Sequence, residues 1–547
     1  MRKILRKRKL IKNRLISTRK RQTSELSKLR NFFEHGRLFK FIILFLTFLF
    51  VLIVLSLNWN SNGIYIFNCF TSNTFQPNEI NNYALLFLGI SIFSAIIGLN
   101  IAQFLNKFNN NCFKNNFDTL LAITIFAISL SMSKFLFVIL RIDVSQTSLT
   151  AASSTWLYYL PLFPCAMGAI LYGILMDIIS SYIFVIGLCL CQGVLFGGNF
   201  TIFLITIFSA SIGIMASYRA SRRTHVIRAG LLVALIQCLF IIAKGLIYEE
   251  PIQPLVLQST IGLFNGLIAA FFATGFLPIL EYIFQVTTDI RLVELSDLNH
   301  PLLKKLVINA PGTYHHSLIV GNLAEAAAQE VGANPILARV GAYFHDIGKL
   351  KKPEYFSENE WMGSSRHDDL IPSMSSLIII SHVKDGVDLA KKNGLNKEIV
   401  DIIEQHHGTG VVYFFYKRAE KALMENQKID IGEYRYPGPL PQTKEAAIIL
   451  IADAVEASSR ALDNPTPARI RNLVNDIINS RFIDSQLNEC SLTIQDLAKM
   501  RDCFTLILTG IFHMRPKYPK DEEQEDKKND NSDQQPPEKV PDQTKND

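Results

Sequence analysis

Between residues 38 and 284 the chain is a succession of apolar runs, each close to the roughly 20 residues that a helix needs to cross a bilayer. Eight spans are predicted, at 38–57, 83–105, 118–140, 157–176, 178–197, 199–217, 229–247 and 259–284. From residue 285 the pattern changes. Apolar positions recur at helical spacing instead of in unbroken runs, as in a globular helical domain. Beyond residue 516 large apolar side chains almost vanish, so that segment cannot bury a core and is expected to be disordered. The pattern predicts an all-α chain: a polytopic helical membrane domain, a helical globular domain over 285–515 and a polar tail over 516–547.

Composition sharpens this division. Hydrophobic residues make up 49% of the chain and charged residues 19%, which suits a protein with much membrane content. The net charge of +7 is uneven, because residues 1–40 hold 15 Lys and Arg against two Asp and Glu. This basic stretch stands directly before an apolar run, so it reads as a cytoplasmic topology anchor and not as a binder of nucleic acid polymers. The run at 38–57 is too long for the apolar part of a secretory signal and lacks a small-residue cleavage site, so it reads as an uncleaved anchor. The units are then a basic tail (1–37), a first anchor (38–57), a short extracytoplasmic loop (58–82) and seven helices (83–284). Lys107, Lys114, Arg219, Arg222, Arg223 and Arg228 fall on the same side as the basic tail, and both termini are placed in the cytoplasm. That topology depends on a break at Asp177. Lys134, near an outer span end, is expected to snorkel. The eight cysteines form no CxxC pair and read as isolated thiols.

Eight of the 11 histidines lie between His300 and His407. A helix is predicted from Pro311 to Val331, stopped by Gly332. On it His316, Val320, Leu323 and Ala327 share an inward face, with His315 about 100° away. A second helix, capped by Asn334 with Pro335 at its first position, ends at His345-Asp346. A third, from Pro372 to Lys391, carries His382. A fourth ends at His406-His407, with Gly408 as its stop. A fifth, from Lys444 to Ala461, carries Asp453 among apolar neighbours. Buried imidazoles and carboxylates are costly unless paired or coordinated, and this donor mixture suits iron, manganese or zinc. The carboxylate of Asp346 can bridge two cations, and a cation pair about 3.5–4 Å apart suits phosphodiester hydrolysis by a bridging hydroxide.

The series His316, His345-Asp346, His382, His406-His407 and Asp453 resembles the HD superfamily and its HD-GYP-like branch. The strings Glu294–Leu302, Pro311–Ser317 and Gly341–Lys349 are similar to the bacterial seven-transmembrane HD family, as are Ser373–Leu377 and Glu404–Thr409; the match covers about residues 83 to 515. The resemblance implies an HD-type phosphohydrolase domain over 285–515 and an inner-membrane, multi-pass phosphodiesterase that hydrolyses cyclic di-AMP to pApA. Its implied cofactors are two divalent ions, iron or manganese; its implied partners are the cyclic dinucleotide and the bilayer, with a homodimer left open. His316, His345, Asp346 and Asp453 would hold one metal; Asp346, His382, His406 and His407 the other. Lys349 would contact phosphate, and His315 is the alternative to His316 or a substrate contact. One departure stands out. The family's large extracytoplasmic domain is replaced by residues 58–82, which puts sensing by such a domain in doubt. Tyr436-Pro437-Gly438-Pro439 only echoes the GYP motif of cyclic di-GMP enzymes. Cyclic di-GMP, a guanosine polyphosphate and a non-catalytic receptor are the alternative readings.

Overall fold

The computed structural model describes residues 57–60, 63–66, 116–139, 162–195, 200–360, 366–422 and 429–512. The predicted spans 38–57 and 83–105 lie outside these residues, apart from Leu57. That residue opens a short antiparallel hairpin, β1 (Leu57–Asn60) and β2 (Gly63–Ile66), in which Leu57 faces Ile66. Every other regular element among the described residues is helical, so the chain is all-α apart from this small hairpin.

The apolar half forms α1 (Asn116–Ile139), α2 (Phe163–Leu175), α3 (Ile178–Leu195), α4 (Phe200–Ser217), α5 (Arg223–Ile247) and α6 (Ile252–Phe284). Of these, α1, α4, α5 and α6 are long and apolar enough to cross a membrane, whereas α2 has 13 residues and the apolar stretch counted in α3 is Ile178–Gly193. The break between α2 and α3 falls where the sequence requires it. Met176 is extended, and the Ser180 N–H donates to Asp177 Oδ2 at 3.2 Å, starting a new helix. Two helices are longer than predicted. α5 begins at Arg223, so Arg223 and Arg228 lie on its first turns and not in a loop. α6 spans 33 residues, about 50 Å at 1.5 Å per residue, well beyond a hydrocarbon core of about 30 Å. Lys134 is 8% exposed, buried in the bundle where snorkelling was expected.

α5 and α6 pack at a crossing made for glycine. A Cβ on Gly266 would lie 2.3 Å from the Gly230 carbonyl oxygen and 2.5 Å from the Ala234 nitrogen. Both obstacles are backbone, so no rotamer change relieves them. Gly266→Val is expected to lower stability by about 3 kcal/mol or more, measured as thermal unfolding of the detergent-purified chain. An unchanged transition would contradict this packing.

The left-handed Gln285 ends α6, and α7 (Asp289–Leu295) follows with Thr288 as its cap. Polar contacts tie this connector to both halves. Arg223 pairs with Glu294 at 2.7 Å, Asn334 Nδ2 donates to Asp289 Oδ1 at 3.0 Å, and Asn396 Nδ2 donates to Thr287 Oγ1 at 3.0 Å. Thr287 also bonds Glu398. The globular half comprises α8 (Pro301–Asn309), α9 (Pro311–Glu330), α10 (Pro335–Phe344), α11 (Pro372–Lys392), α12 (Lys397–Gln405), α13 (Tyr413–Lys421), α14 (Lys444–Ser459), α15 (Pro467–Ile483) and α16 (Ile494–Phe512). Their starts follow local chemistry. The Asn334 side chain accepts from the Ile336 and Leu337 N–H groups, and Thr443 accepts from Ala446, satisfying donors that a first turn leaves unpaired. One core joins α9, α14 and α16 through Leu323, Ala327, Ile449, Val455 and Phe504. A second joins α10, α11 and α12 through Phe344, Val387, Ile399 and Ile403.

Candidate metal centre

α9, α10, α11, α12 and α14 each deliver ionisable groups to one place. His345 is the first residue after α10, and His406-His407 follow α12. Two helices therefore point their C-termini toward the centre, the negative ends of their dipoles, which favour cations. The glycine stop after His407 takes φ 52°, a conformation that costs glycine little.

Three histidines are set in the same way. Nδ1 of His345, His382 and His406 bonds the carbonyl three residues earlier, Ala342, Ile379 and Ile403, at 2.7, 2.5 and 2.8 Å. With Nδ1 engaged there, Nε2 of each ring is the nitrogen turned toward the centre, and in the neutral ring it is the one that offers a lone pair. Those nitrogens gather around Asp346. Its Oδ1 lies 3.3 Å from His382 Nε2 and 3.7 Å from His406 Nε2. Its Oδ2 lies 3.2 Å from His345 Nε2 and 3.7 Å from His316 Nε2. On the second side Asp453 Oδ1 is 3.0 Å from His316 Nε2, and Asp453 Oδ2 is 3.6 Å from His407 Nδ1.

Two donor groups result: Asp346, His382, His406 and His407, and His316, His345 and Asp453, with ligand atoms in each within 4.8 Å of one another. Asp346 reaches both. His316 Nε2, His345 Nε2 and Asp346 Oδ1 are buried and make no hydrogen bond. Such atoms carry a desolvation penalty of about 1–3 kcal/mol each unless something else satisfies them. Nitrogen and carboxylate donors left unpaired around shared points fit divalent cations. Asp453 and His407 are the more open members, with side chains 13% and 23% exposed, so this rim faces outward. His315 is exposed on α9 and belongs to neither group, which departs from its reading as the alternative ligand.

Lys349 is no solvated turn residue. Its Nζ lies 2.7 Å from Asp346 Oδ2 and 2.7 Å from Glu358 Oε1, above the Phe356 ring. Glu358 was not foreseen from sequence. It sits in a loop of short turns without periodicity, which docks on α9 through Thr313–Glu358 and Thr313–Asn359 hydrogen bonds. Tyr436, also missed as a site residue, stacks on His407 at 4.2 Å. The segment that only echoes a GYP motif thus reaches the centre through its tyrosine. Glu456, three residues after Asp453 on the same helix, bonds His316 Nδ1; the i, i+3 spacing was the signal available for it.

Charge coupling is strong here. Burial lowers the His345 pKa, but the negative charge of the nearby Asp346 carboxylate, and then that of Asp453, outweighs it and holds the ring up to about 10. Burial and the neighbouring His345 charge push His406 down to about 3. Burial opposes ionisation of Asp346, yet His345 and Lys349 hold it well below the usual carboxylate range. Burial likewise opposes the Lys349 charge, yet the Asp346 and Glu358 carboxylates outweigh it and hold the ammonium well above the usual lysine range.

The described geometry agrees with comparisons to known proteins. Residues 84–288 match the family described as 7TM receptor with intracellular HD hydrolase, and residues 313–458 match the HD domain. The Bacillus subtilis cyclic-di-AMP phosphodiesterase PgpH is 41% identical over 366 residues, covering 65% of this chain and 51% of that protein. The Listeria monocytogenes PgpH is 40% identical over 368 residues, covering 66% and 51%. This chain thus spans about half the length of the curated relatives it matches. The crystal structure of the L. monocytogenes PgpH HD domain in complex with cyclic-di-AMP is 48% identical, covering 40% of this chain and 100% of that one, with a TM-score of 0.38.

Proposed function

With residues 84–288 in the family of 7TM receptors with an intracellular HD hydrolase and residues 313–458 in the HD domain family, we propose that this chain is a membrane-anchored phosphodiesterase that hydrolyses cyclic di-AMP to pApA. The observation that carries the reading is the pair of donor groups joined by one carboxylate, Asp346. His316, His345, Asp346 and Asp453 would hold one cation; Asp346, His382, His406 and His407 would hold the other. Divalent ions there supply Lewis-acid charge and lower the pKa of water for attack on phosphorus. The imidazoles suit iron, and the Asp346 and Asp453 carboxylates suit manganese. The cyclic di-AMP assignment draws on the two relatives named for it, 41% and 40% identical over 366 and 368 residues.

The chain's own residues have distinct tasks in this reading. The Nδ1 carbonyl bonds fix three rings in the tautomer that presents Nε2. The His407–Asp453 rim admits the substrate, and Tyr436 backs His407 as a flat wall. Lys349 holds its ammonium beside the Asp346 carboxylate, ready to take a phosphate oxygen. A cytoplasmic position for the globular half and both termini, where a nucleotide messenger is found, is supported by the basic residues at the start of α5 and the positive tail at 1–37. A globular domain beginning at 285 is supported by the end of α6 at Phe284, and its bound at 515 lies outside the described residues.

The test is turnover by the full chain in detergent with manganese or ferrous iron, with cyclic di-AMP, cyclic di-GMP and a guanosine polyphosphate offered separately. Formation of pApA with preference for cyclic di-AMP is expected. Cleavage of cyclic di-GMP alone, or of none of the three, would overturn the proposal.

Metal loading should also release protons. In the metal-free chain the His345 ring, held up to about 10, is protonated at pH 7.5, and a cation ligand must be neutral. His406, at about 3, is already neutral and contributes none. On the order of one to two protons per chain are expected, measured by calorimetric titration of manganese in buffers of different ionisation enthalpy. Affinity then falls as pH falls. A titration independent of buffer would contradict the coupling.

A further inference from the structure

One of the four inward histidines is held differently. His345, His382 and His406 give their Nδ1 protons to backbone carbonyls. His316 instead bonds a carboxylate, Glu456 Oε2, at 2.5 Å. Glu456 is itself buried, 2% exposed, and its other oxygen, Oε1, accepts from Arg460 Nε at 2.6 Å. Asp453, Glu456 and Arg460 all lie on or just after α14, at i, i+3 and i+7. One helix therefore addresses both nitrogens of a ring on α9: Asp453 at Nε2, 3.0 Å away, and Glu456 at Nδ1.

We propose that Glu456 is a positioning residue that fixes the His316 tautomer and makes its ring the strongest imidazole donor of the centre, with Arg460 setting which Glu456 oxygen faces the ring. A carboxylate behind a ligating imidazole raises its basicity and locks its orientation, and loss of such a partner costs about 10–100-fold in metal affinity. A carbonyl does the same more weakly, since charge-assisted bonds are roughly twice as strong. The two cation positions are therefore unequal: the one that includes His316 holds its ion more tightly. The inference rests on the two-cation reading above and adds an order of occupancy to it.

The arrangement makes an unusual demand on the conservative variant. Arg460 can only donate. In Glu456→Gln it keeps the amide oxygen, and the amide NH₂ must then face His316 Nδ1. The ring proton is forced onto Nε2, where it blocks the cation. Removing Arg460 as well lets the amide turn its oxygen to the ring. Arg460 is the outer member, its side chain 38% exposed, so Arg460→Ala leaves no large hole.

The experiment is manganese titration of the full chain in detergent, with bound metal counted per chain and folding checked by thermal unfolding. Wild type is expected to bind two ions. Glu456→Gln is expected to keep one at wild-type affinity and to bind the other at least about 10-fold more weakly. The Glu456→Gln, Arg460→Ala double variant is expected to recover most of that loss. Two ions at wild-type affinity in Glu456→Gln, or a double variant no better than the single, would overturn the role of Glu456. Should Glu456→Gln fail to fold, the double variant decides alone, since loss of one ion there counts against the proposal. A wild type that binds fewer than two ions would overturn the two-cation reading instead.

Discussion

Asp346→Ala is expected to release both cations together and to lower turnover by about 10³-fold or more, which is about 4 kcal/mol of barrier. The reason is that Asp346 is the buried carboxylate between the two groups, meeting two imidazoles of each with its two oxygens, whereas Asp453 reaches His316 and His407 on the more open rim. Asp346 Oδ1 faces His382 and His406, and its Oδ2 faces His345 and His316. Without it each side keeps three donors but loses the shared anion that lets two dications sit close together. The same change strips Lys349 of one of its two carboxylates, so an ammonium is left on Glu358 alone. His407→Ala is the useful contrast. That ring lies on the rim, its side chain 23% exposed, and belongs to one group only, so its loss should cost one ion and leave the other bound. Metal content per chain, measured with turnover on the same preparation, checks both. Retention of both ions by Asp346→Ala would show that the carboxylate is not the bridge.

The parts of this centre that were legible in sequence are those governed by local rules. Helix phase put His316 inward and His315 outward, and the structure has them buried and exposed. Pro335 after Asn334, Gly332 and Gly408 marked helix ends that the structure reproduces. The parts that were not legible depend on contacts across long sequence separations. Glu358 joins the site because its loop docks on Thr313, 45 residues earlier, and nothing in its own stretch signals that. Tyr436 arrives from an irregular segment whose motif order looked wrong. The membrane half shows the same division. Apolar runs located α1 to α6, but hydropathy alone placed the start of α6 seven residues late. A helix continues as long as its backbone bonds do, and Pro251, which caps α6, is the feature that sets its start.

Gly348→Ala is expected to be nearly as damaging as Asp346→Ala, although it touches no ligand atom. A Cβ at this position would lie 1.9 Å from the His382 carbonyl oxygen and 2.6 Å from the Gly386 nitrogen. Both are backbone atoms of α11, so relief requires the turn after Asp346 and the helix bearing His382 to move apart by more than 1 Å. Asp346 and His382 stand on opposite sides of that contact, 3.3 Å apart. A shift of this size opens the group of Asp346, His382, His406 and His407 while leaving His316, His345 and Asp453 in place. Displacements of about 1 Å can cost on the order of 100-fold in rate, and overpacking against backbone should cost about 3 kcal/mol of stability. Loss of one bound ion, a 100-fold fall in turnover and a lower unfolding temperature are therefore expected together. Gly332→Ala supplies the control. Gly332, unlike Gly348, has positive φ, 67°, and a Cβ there meets nothing within 4 Å, so the change should cost about 1 kcal/mol of backbone strain and leave metal content and turnover intact. If the two substitutions behave alike, close approach to α11 is not what Gly348 is needed for; if Gly348→Ala keeps both ions, the contact between the turn and α11 does not hold the centre together.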